Sequence, residues 1–370
     1  MENTNNGFRL KQGARGPLVV KIGSNVLTRK DGTLDVTRMS ALVDQIAQLR
    51  LEGLEVILVS SGAVASGRSE MKLSSHHLDT TSQRQLFSAV GQVKLINRYY
   101  ELFRDYGMVV GQVLTMKENF STRRHYLNQK NCMMVMLENG VIPIVNENDT
   151  ISVTELIFTD NDELSGLIAS MMDADALIIL SNIDGIYNGS PSDPASHVIR
   201  EIGQRVDLSG YIQTAKSSFG RGGMLTKTNI ARKVADEGIE VIIANGKRED
   251  ILLQLMHNPD TICTRFVPKS KPISGVKKWI AHSEGFAKGE ITINDKALEA
   301  LRGDNAVSIL PVGIINVAGD FEKDDIIRIM DSKGNLIGVG KANCTSVQAM
   351  AAMGKHAGRA VVHYDYLYME

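Results

Sequence analysis

Residues 141–150 read VIPIVNENDT, five apolar residues followed by five polar ones that include two carboxylates. A short apolar run stopped abruptly by polar residues is the pattern of a strand buried on both faces. The same texture recurs on either side. Upstream lie LVVKI at 18–22, EVILVS at 55–60 and VVGQVLT at 109–115; downstream lie ALIILS at 176–181 and EVIIAN at 240–245. Between them, apolar residues recur at helical spacing: from about Thr37 to Glu52, then GQVKLINRYYELFRDY at 91–106, NCMMVMLENG at 131–140, ELSGLIASMM at 163–172 and TKTNIARKVADEG at 226–238. Strands alternating with helices predict an α/β domain over residues 17–262, built on a doubly wound, mostly parallel sheet.

The flanks differ. Residues 1–16 are polar and read as a disordered tail without the apolar core of a signal peptide. Residues 263–284 mix prolines and lysines without a clear period and read as a linker. Residues 285–370 break into short strand-like pieces separated by turn residues, with helical patterns at KALEALR (296–302) and near Ser346 to Met353, which predicts a small, mostly β barrel. The chain has 370 residues, 43% hydrophobic, and a net charge of -1, so an anionic partner must be gripped locally rather than by a global field. Its three cysteines stand far apart, the wrong arithmetic for a disulfide framework or a zinc site, and no window is apolar enough to span a membrane. A reduced, cytoplasmic protein is expected.

An open parallel sheet binds ligands outside the C-terminal ends of its strands, and four polar or glycine-rich turns fall there. Lys21-Ile22-Gly23-Ser24-Asn25 puts a lysine in a strand end, where it either snorkels or meets an anion. Ser60 to Gly67 is a run of small residues entering a helix, suited to an anion or to close helix packing. Asn146 to Thr150 and Thr159 to Glu163 form two acid-amide clusters that can bind a metal, read an amino group or cap helices. Ser217 to Lys227 is a glycine-rich loop ending in a lysine at a helix start; Thr226 before that lysine rules out a Walker loop, and no G-x-G-x-x-G follows the first strand. The eight histidines do not cluster, and no G-x-S-x-G or H-E-x-x-H occurs, which argues against histidine-based hydrolysis. Two lysines on glycine turns with a carboxyl-rich neighbourhood fit phosphoryl transfer, where catalysis is mostly positioning and charge neutralisation. A carboxylate acceptor is already ionised and needs no general base.

The segments VVKIGSNVLT, VILVSSGAVASGR, AVGQVKLINRYYELF, VIPIVNENDT, FTDNDELSGLIA, NIDGIYNGSP and GGMLTK, in this order, resemble the glutamate 5-kinase family of the amino acid kinase superfamily, and the tail resembles a PUA domain. The resemblance implies ATP-dependent phosphorylation of the side-chain carboxylate of L-glutamate, giving L-glutamyl 5-phosphate for proline biosynthesis. It implies a glutamate site at Ser61, Asp149 and Asn161 with Asn146 nearby. It implies an ATP site at Lys21, Ser181, Asn182 and the run Arg221, Gly222, Gly223, Met224, Leu225, Thr226, Lys227. Lys21 and Lys227 are expected to neutralise the transferred phosphoryl group, Asp162 to hold both lysines, and Asp149 with Asn161 to read the substrate's α-amino end. Mg2+ is expected with ATP, largely water-coordinated, with no protein ligand assigned.

Two positions depart from the family pattern: Ser181-Asn182 replaces Thr-Asp, losing a carboxylate, and Arg221 replaces a threonine, adding a cation. The resemblance further implies feedback inhibition by proline, with Glu155 in the segment from Thr150 to Thr159 as a determinant, a homo-oligomer (dimer or tetramer), and glutamyl phosphate reductase as a partner. From Phe286 onward the tail carries 9 Lys/Arg against 11 Asp/Glu, so RNA is not an expected partner and a regulatory role is favoured. The rival readings are another carboxylate kinase such as acetylglutamate kinase, an RNA-binding protein anchored by its tail, and an inactive regulator.

Overall fold

The computed structural model describes residues 16–71, 78–151, 158, 160–203, 224–270, 274–303, 306–356 and 358–369. They fall into two compact units, one within Met1–Asn119 and Leu127–Pro272, the other within Phe120–Tyr126 and Ile273–Glu370. The tail expected at 1–16 lies outside the described residues except for Gly16.

The first unit is built on strands β1 (Leu18–Ile22), β2 (Val56–Ser60), β3 (Val110–Thr115), β4 (Ile142–Glu147), β5 (Ala176–Ser181), β6 (Glu201–Ile202), β7 (Glu240–Asn245) and β8 (Thr264–Phe266). They form one sheet in the order β3-β4-β2-β1-β5-β7-β8-β6, parallel throughout except where β8 runs against β7. Every residue of β1, β2, β4 and β5 is buried, as expected of strands covered on both faces by helices. The chain builds outward from β1 to one side and then returns to place β5 on its other side, so the loops after β1, β2, β4 and β5 open at one edge of the sheet.

The helices are α1 (Ser24–Leu27), α2 (Val36–Leu51), α3 (Ala63–Met71), α4 (Thr80–Arg104), α5 (Arg123–Glu138), α6 (Asn161–Met171), α7 (Met224–Asp236) and α8 (Ile251–His257). Asp35 caps α2 by accepting the Arg38 N–H, and Asp79 caps α4 by accepting the Ser82 N–H at 2.8 Å. Met39, Leu42, Ile46 and Leu49 of α2 pack with Leu95, Tyr99 and Phe103 of α4 in the core cluster, which also takes in Val20, Ile22, Leu58 and Ile178. Each such side chain contributes roughly 1.5–3 kcal/mol by leaving water.

Helix α4 begins eleven residues earlier than the expected Gly91, and the reason is α3. The two helices meet backbone to backbone: a Cβ on Gly91 would stand 1.8 Å from the Ala63 carbonyl oxygen, and one on Gly67 would stand 1.8 Å from that of Phe87. Thr80 to Gly91 lacks an apolar period because small residues make this contact.

The stretch 263–284, expected as a linker, is corrected by two elements. Thr264–Phe266 is a strand of the sheet, and Gly275–Ala281 is a helix, α9. Three residues are too few to display a period of two. Thr264 is nevertheless fixed, its hydroxyl donating to the Ile199 carbonyl at 2.7 Å and accepting the Ile186 N–H at 2.8 Å.

The second unit carries β9 (Gly289–Ile293), β10 (Ile314–Gly319), β11 (Ile326–Met330), β12 (Leu336–Ala342) and β13 (Val362–Met369), with helices α10 (Asp295–Arg302) and α11 (Ser346–Ala352). Its five strands are ordered β10-β9-β11-β12-β13 around a core of Ile291, Ile293, Ile314, Phe321, Ile327 and Ile329. Asn294 and Thr345 cap α10 and α11, the latter in a full capping box with Gln348. The three cysteines are free, and among the described residues no helix is long and apolar enough to cross a membrane.

Candidate active site

The site forms at the C-terminal edge of the sheet, from the ends of β1, β2 and β4, the start of α6, and two helices that pack against them. Its centre is Asp162, wholly buried in the first turn of α6. One carboxylate oxygen meets the Lys21 ammonium at 2.5 Å and the other meets that of Lys227 at 2.8 Å. Lys21 comes from β1 and is itself 4% exposed, whereas Lys227 comes from the first turn of α7. Burial opposes ionisation of Asp162, but the charges of Lys21 and then Lys227 outweigh it and hold its carboxyl well below the usual range.

Gly23 follows β1 and gives its N–H to the Leu180 carbonyl at 3.1 Å; a Cβ there would lie 3.5 Å from the Lys21 ammonium. Gly62, at the turn from β2 into α3, has φ of +110°, a conformation open to glycine at little cost.

A second set of polar side chains runs beside this centre. Asn161 donates its amide to the Ser61 hydroxyl at 2.8 Å and to the Asn146 side-chain oxygen at 3.0 Å. Asn146 donates in turn to Gln92 of α4 at 2.9 Å. The line from Gln92 through Asn146 and Asn161 to Ser61 ties α4, β4, α6 and the end of β2 together. Behind it the Ser60 hydroxyl is 2.8 Å from the buried Tyr99 hydroxyl.

Asp149 stands apart from that line. Its carboxylate is paired with Arg84 of α4 and accepts a long hydrogen bond from Ser88, also of α4, at 3.4 Å. The same Arg84 Nη2 pairs with Glu147 at 2.9 Å. Burial, and then the Asp149 charge, push the Glu147 carboxyl up to about 7 despite Arg84. Asp160 caps α6 by accepting the N–H groups of Asp162 at 2.9 Å and Glu163 at 3.1 Å. Burial, followed by the charge of Asp162, raises its carboxyl to about 6, and its Oδ2 is buried without a hydrogen-bond partner.

The structure thus brings together Lys21, Asp162 and Lys227, and separately Ser61, Asn146 and Asn161. Of the expected nucleotide residues, Ser181 is buried at the end of β5, Asn182 is exposed after it, and Met224, Leu225 and Thr226 form the start of α7. Arg221, Gly222 and Gly223 lie outside the described residues, as does Glu155. The carboxylate missing at Asn182 has a neighbour two residues on: Asp184 accepts from Arg248 at 2.6 and 2.8 Å and from Asn245 at 3.0 Å. The Arg248 hydrogen bonds lower its pKa.

The sequence pattern does not single out Arg84 or Ser88, because the first half of α4 carries no apolar period, and nothing local marks Gln92 within the expected helix at 91–106. It places Glu147 and Asp160 within their clusters without separating them from their neighbours. Among the described residues no group of three or more His, Cys, Asp or Glu side chains is arranged to hold a metal.

Residues 16–245 match the amino acid kinase family and residues 289–364 match the PUA domain. A glutamate 5-kinase of Bacteroides thetaiotaomicron is 75% identical over 354 residues, covering 95% of this chain and 98% of that protein. The chain belongs to the glutamate 5-kinase family. A second family member, from Chlorobaculum tepidum, is 47% identical over 95% of this chain and 97% of its own length. A solved isopentenyl phosphate kinase covers 67% of this chain and 99% of its own, at 16% identity and a TM-score of 0.48. The family's fold is the mostly parallel eight-stranded sheet described above, followed by a PUA domain with five strands, and the protein is a kinase.

Proposed function

We propose that this protein transfers the γ-phosphoryl group of ATP to the side-chain carboxylate of L-glutamate, giving L-glutamyl 5-phosphate and ADP, the first step of proline biosynthesis. The observation that carries the reading is the buried Lys21–Asp162–Lys227 group at the edge of a parallel sheet, beside a line of amide and hydroxyl side chains. A glutamate carboxylate oxygen attacks the γ-phosphorus, the bond to the bridging oxygen breaks, and the electron pair leaves with ADP. The acceptor is ionised at neutral pH, so no proton has to be removed and no general base is required. Negative charge on the transferred group is met by two ammonium groups whose positions Asp162 fixes in advance, so little reorganisation is needed at the moment of transfer.

Asn161, Ser61 and Asn146 would orient the acceptor, and Asp149 would meet its α-ammonium group. Ser181, Asn182 and the run from Arg221 to Lys227 would hold the nucleotide. Mg2+ would arrive with ATP and screen the phosphates. Both oxygens of Asp162 are engaged by lysines, so the donor set here fits an ion held by phosphate and water rather than by a protein carboxylate. The reading also carries proline as an inhibitor competing at the acceptor site with Glu155 as a determinant, a homo-oligomer, transfer of the acyl phosphate to glutamyl phosphate reductase, and a cytoplasmic setting where ATP and glutamate are supplied.

The test is glutamate-dependent ADP release with Mg-ATP, with hydroxylamine present to trap the acyl phosphate as a hydroxamate. The expected result is a hydroxamate that requires glutamate, is not formed with N-acetylglutamate, and is lost in Lys227→Ala. A folded, ATP-binding protein that yields none with glutamate overturns the reading.

A further inference from the structure

One charged group at the acceptor end has no part in the transfer chemistry, yet is held more elaborately than a surface ion pair. Arg84 lies in the second turn of α4, and its Nη2 serves two carboxylates at once, Glu147 and Asp149. Its Nη1 is buried without a hydrogen-bond partner, so the two acids share Nη2 rather than dividing the guanidinium between them. The neighbouring residues of α4 grip the same segment: Gln85 donates to the Thr150 carbonyl at 2.8 Å and Ser88 to Asp149. The second oxygen of Glu147 accepts the Phe158 N–H at 3.1 Å. One face of α4 therefore holds the end of β4 and the residues after it.

We propose that Arg84 is a positioning residue for the acceptor site, acting through Asp149: it aims the Asp149 carboxylate and sets how much negative charge is left for the bound amino acid, while Glu147 modulates that hold by drawing on the same nitrogen. The proposal rests on the reading that Asp149 meets the substrate's α-ammonium group. With both acids ionised, the three side chains carry one net negative charge, complementary to an ammonium ion. If Glu147 takes a proton, Arg84 and Asp149 cancel and the attraction weakens. The groups facing Glu147 are Arg84 from α4, Asp149 beyond its own strand, and Glu163 from α6, which is paired with Lys117 at 2.9 Å. Burial and the Asp149 charge hold the Glu147 carboxyl near 7, so the switch falls close to neutrality.

The sign follows directly. As pH falls through about 7, Glu147 protonates, the net charge goes from negative to zero, and the KM for glutamate rises while kcat does not. Asp160 titrates lower, near 6, and remains in every variant, so the difference between the wild type and Glu147→Gln isolates Glu147.

The experiment is steady-state kinetics of the full chain, with glutamate and Mg-ATP varied separately. In Arg84→Gln the lost aim of the Asp149 carboxylate outweighs the added negative charge, and the KM for glutamate is expected to rise roughly tenfold or more, the size of losing a charged hydrogen bond, with kcat and the KM for ATP nearly unchanged. Arg84→Lys restores most of the loss, because one ammonium can still bridge both acids. In Asp149→Asn the KM for glutamate also rises, and adding Arg84→Gln to it brings no further rise, since Arg84 acts through Asp149. Glu147→Gln flattens the dependence of the glutamate KM on pH. A full Arg84→Gln effect in the Asp149→Asn background sinks the proposal alone, as does a loss shared equally by kcat and both KM values. An Asp149→Asn variant with an unchanged glutamate KM sinks the acceptor reading of Asp149, and the proposal with it.

Discussion

The two ends of the site solve the same problem, a buried charge, in opposite ways. At the transfer end Asp162 is wholly buried and answered by two lysines, so its charge is fixed far from the range in which it would titrate. At the acceptor end two carboxylates share one guanidinium nitrogen, and Glu147 is left near 7. The difference is a matter of counting: an excess of cations fixes an acid in its charged form, while an excess of acids in the same low-dielectric surroundings pushes one of them toward its neutral form. In the proposed reaction the transfer end presents positive charge to a phosphoryl group in every turnover. The acceptor end, on the same reading, has only to recognise a zwitterion, and can bear a tunable charge.

Four measurements test this contrast. The largest effect is expected from Asp162→Ala, which strips the anion from two lysines, one of them buried. It should abolish hydroxamate formation and cost about 3–5 kcal/mol of stability, read from denaturant unfolding. A stable, active Asp162→Ala protein would mean that the lysines need no fixed partner. Next comes Gly91→Ala, which places a methyl group against the Ala63 backbone and must push α3 and α4 apart. A cost of about 1–3 kcal/mol is expected, with a larger rise in KM for glutamate than for ATP, because α4 carries Arg84, Ser88 and Gln92. Equal changes in both KM values would show that α4 does not serve one end preferentially.

Smaller in effect is the response of kcat to pH. With saturating glutamate, kcat should stay within about threefold between roughly pH 7 and 9, because the Asp162 carboxyl is held well below that range. A kcat that follows a group near 7 would move the titrating acid to the wrong end of the site. The smallest change is Tyr99→Phe, which removes the hydroxyl that meets Ser60 beneath the amide line. It should cost about 1 kcal/mol of stability with nearly normal kinetics, checked by thermal unfolding and steady-state assays.

Much of this was written in local patterns. Apolar runs ending in polar turns gave the strands, and the position of Lys21, Asn146 and Asp149 at or just beyond those runs placed them at the ligand edge of a parallel sheet, because strand polarity alone sends the ends of β1, β2, β4 and β5 to the same side. The lysine at the start of α7 was equally readable from the glycines before it.

What local pattern did not carry was any interaction made by packing. The early start of α4 depends on glycines fitting another helix, which leaves no hydrophobic period. Arg84 therefore sat unnoticed in a polar stretch 63 residues before Glu147, its partner across the fold. The strand Thr264–Phe266 is likewise defined only by its neighbours. Periodicity and chain direction give the α/β sheet and its ligand edge. The tertiary structure alone decided which acids share a cation and which are matched by two, because charge balance inside a protein is set by distances between residues far apart in the chain.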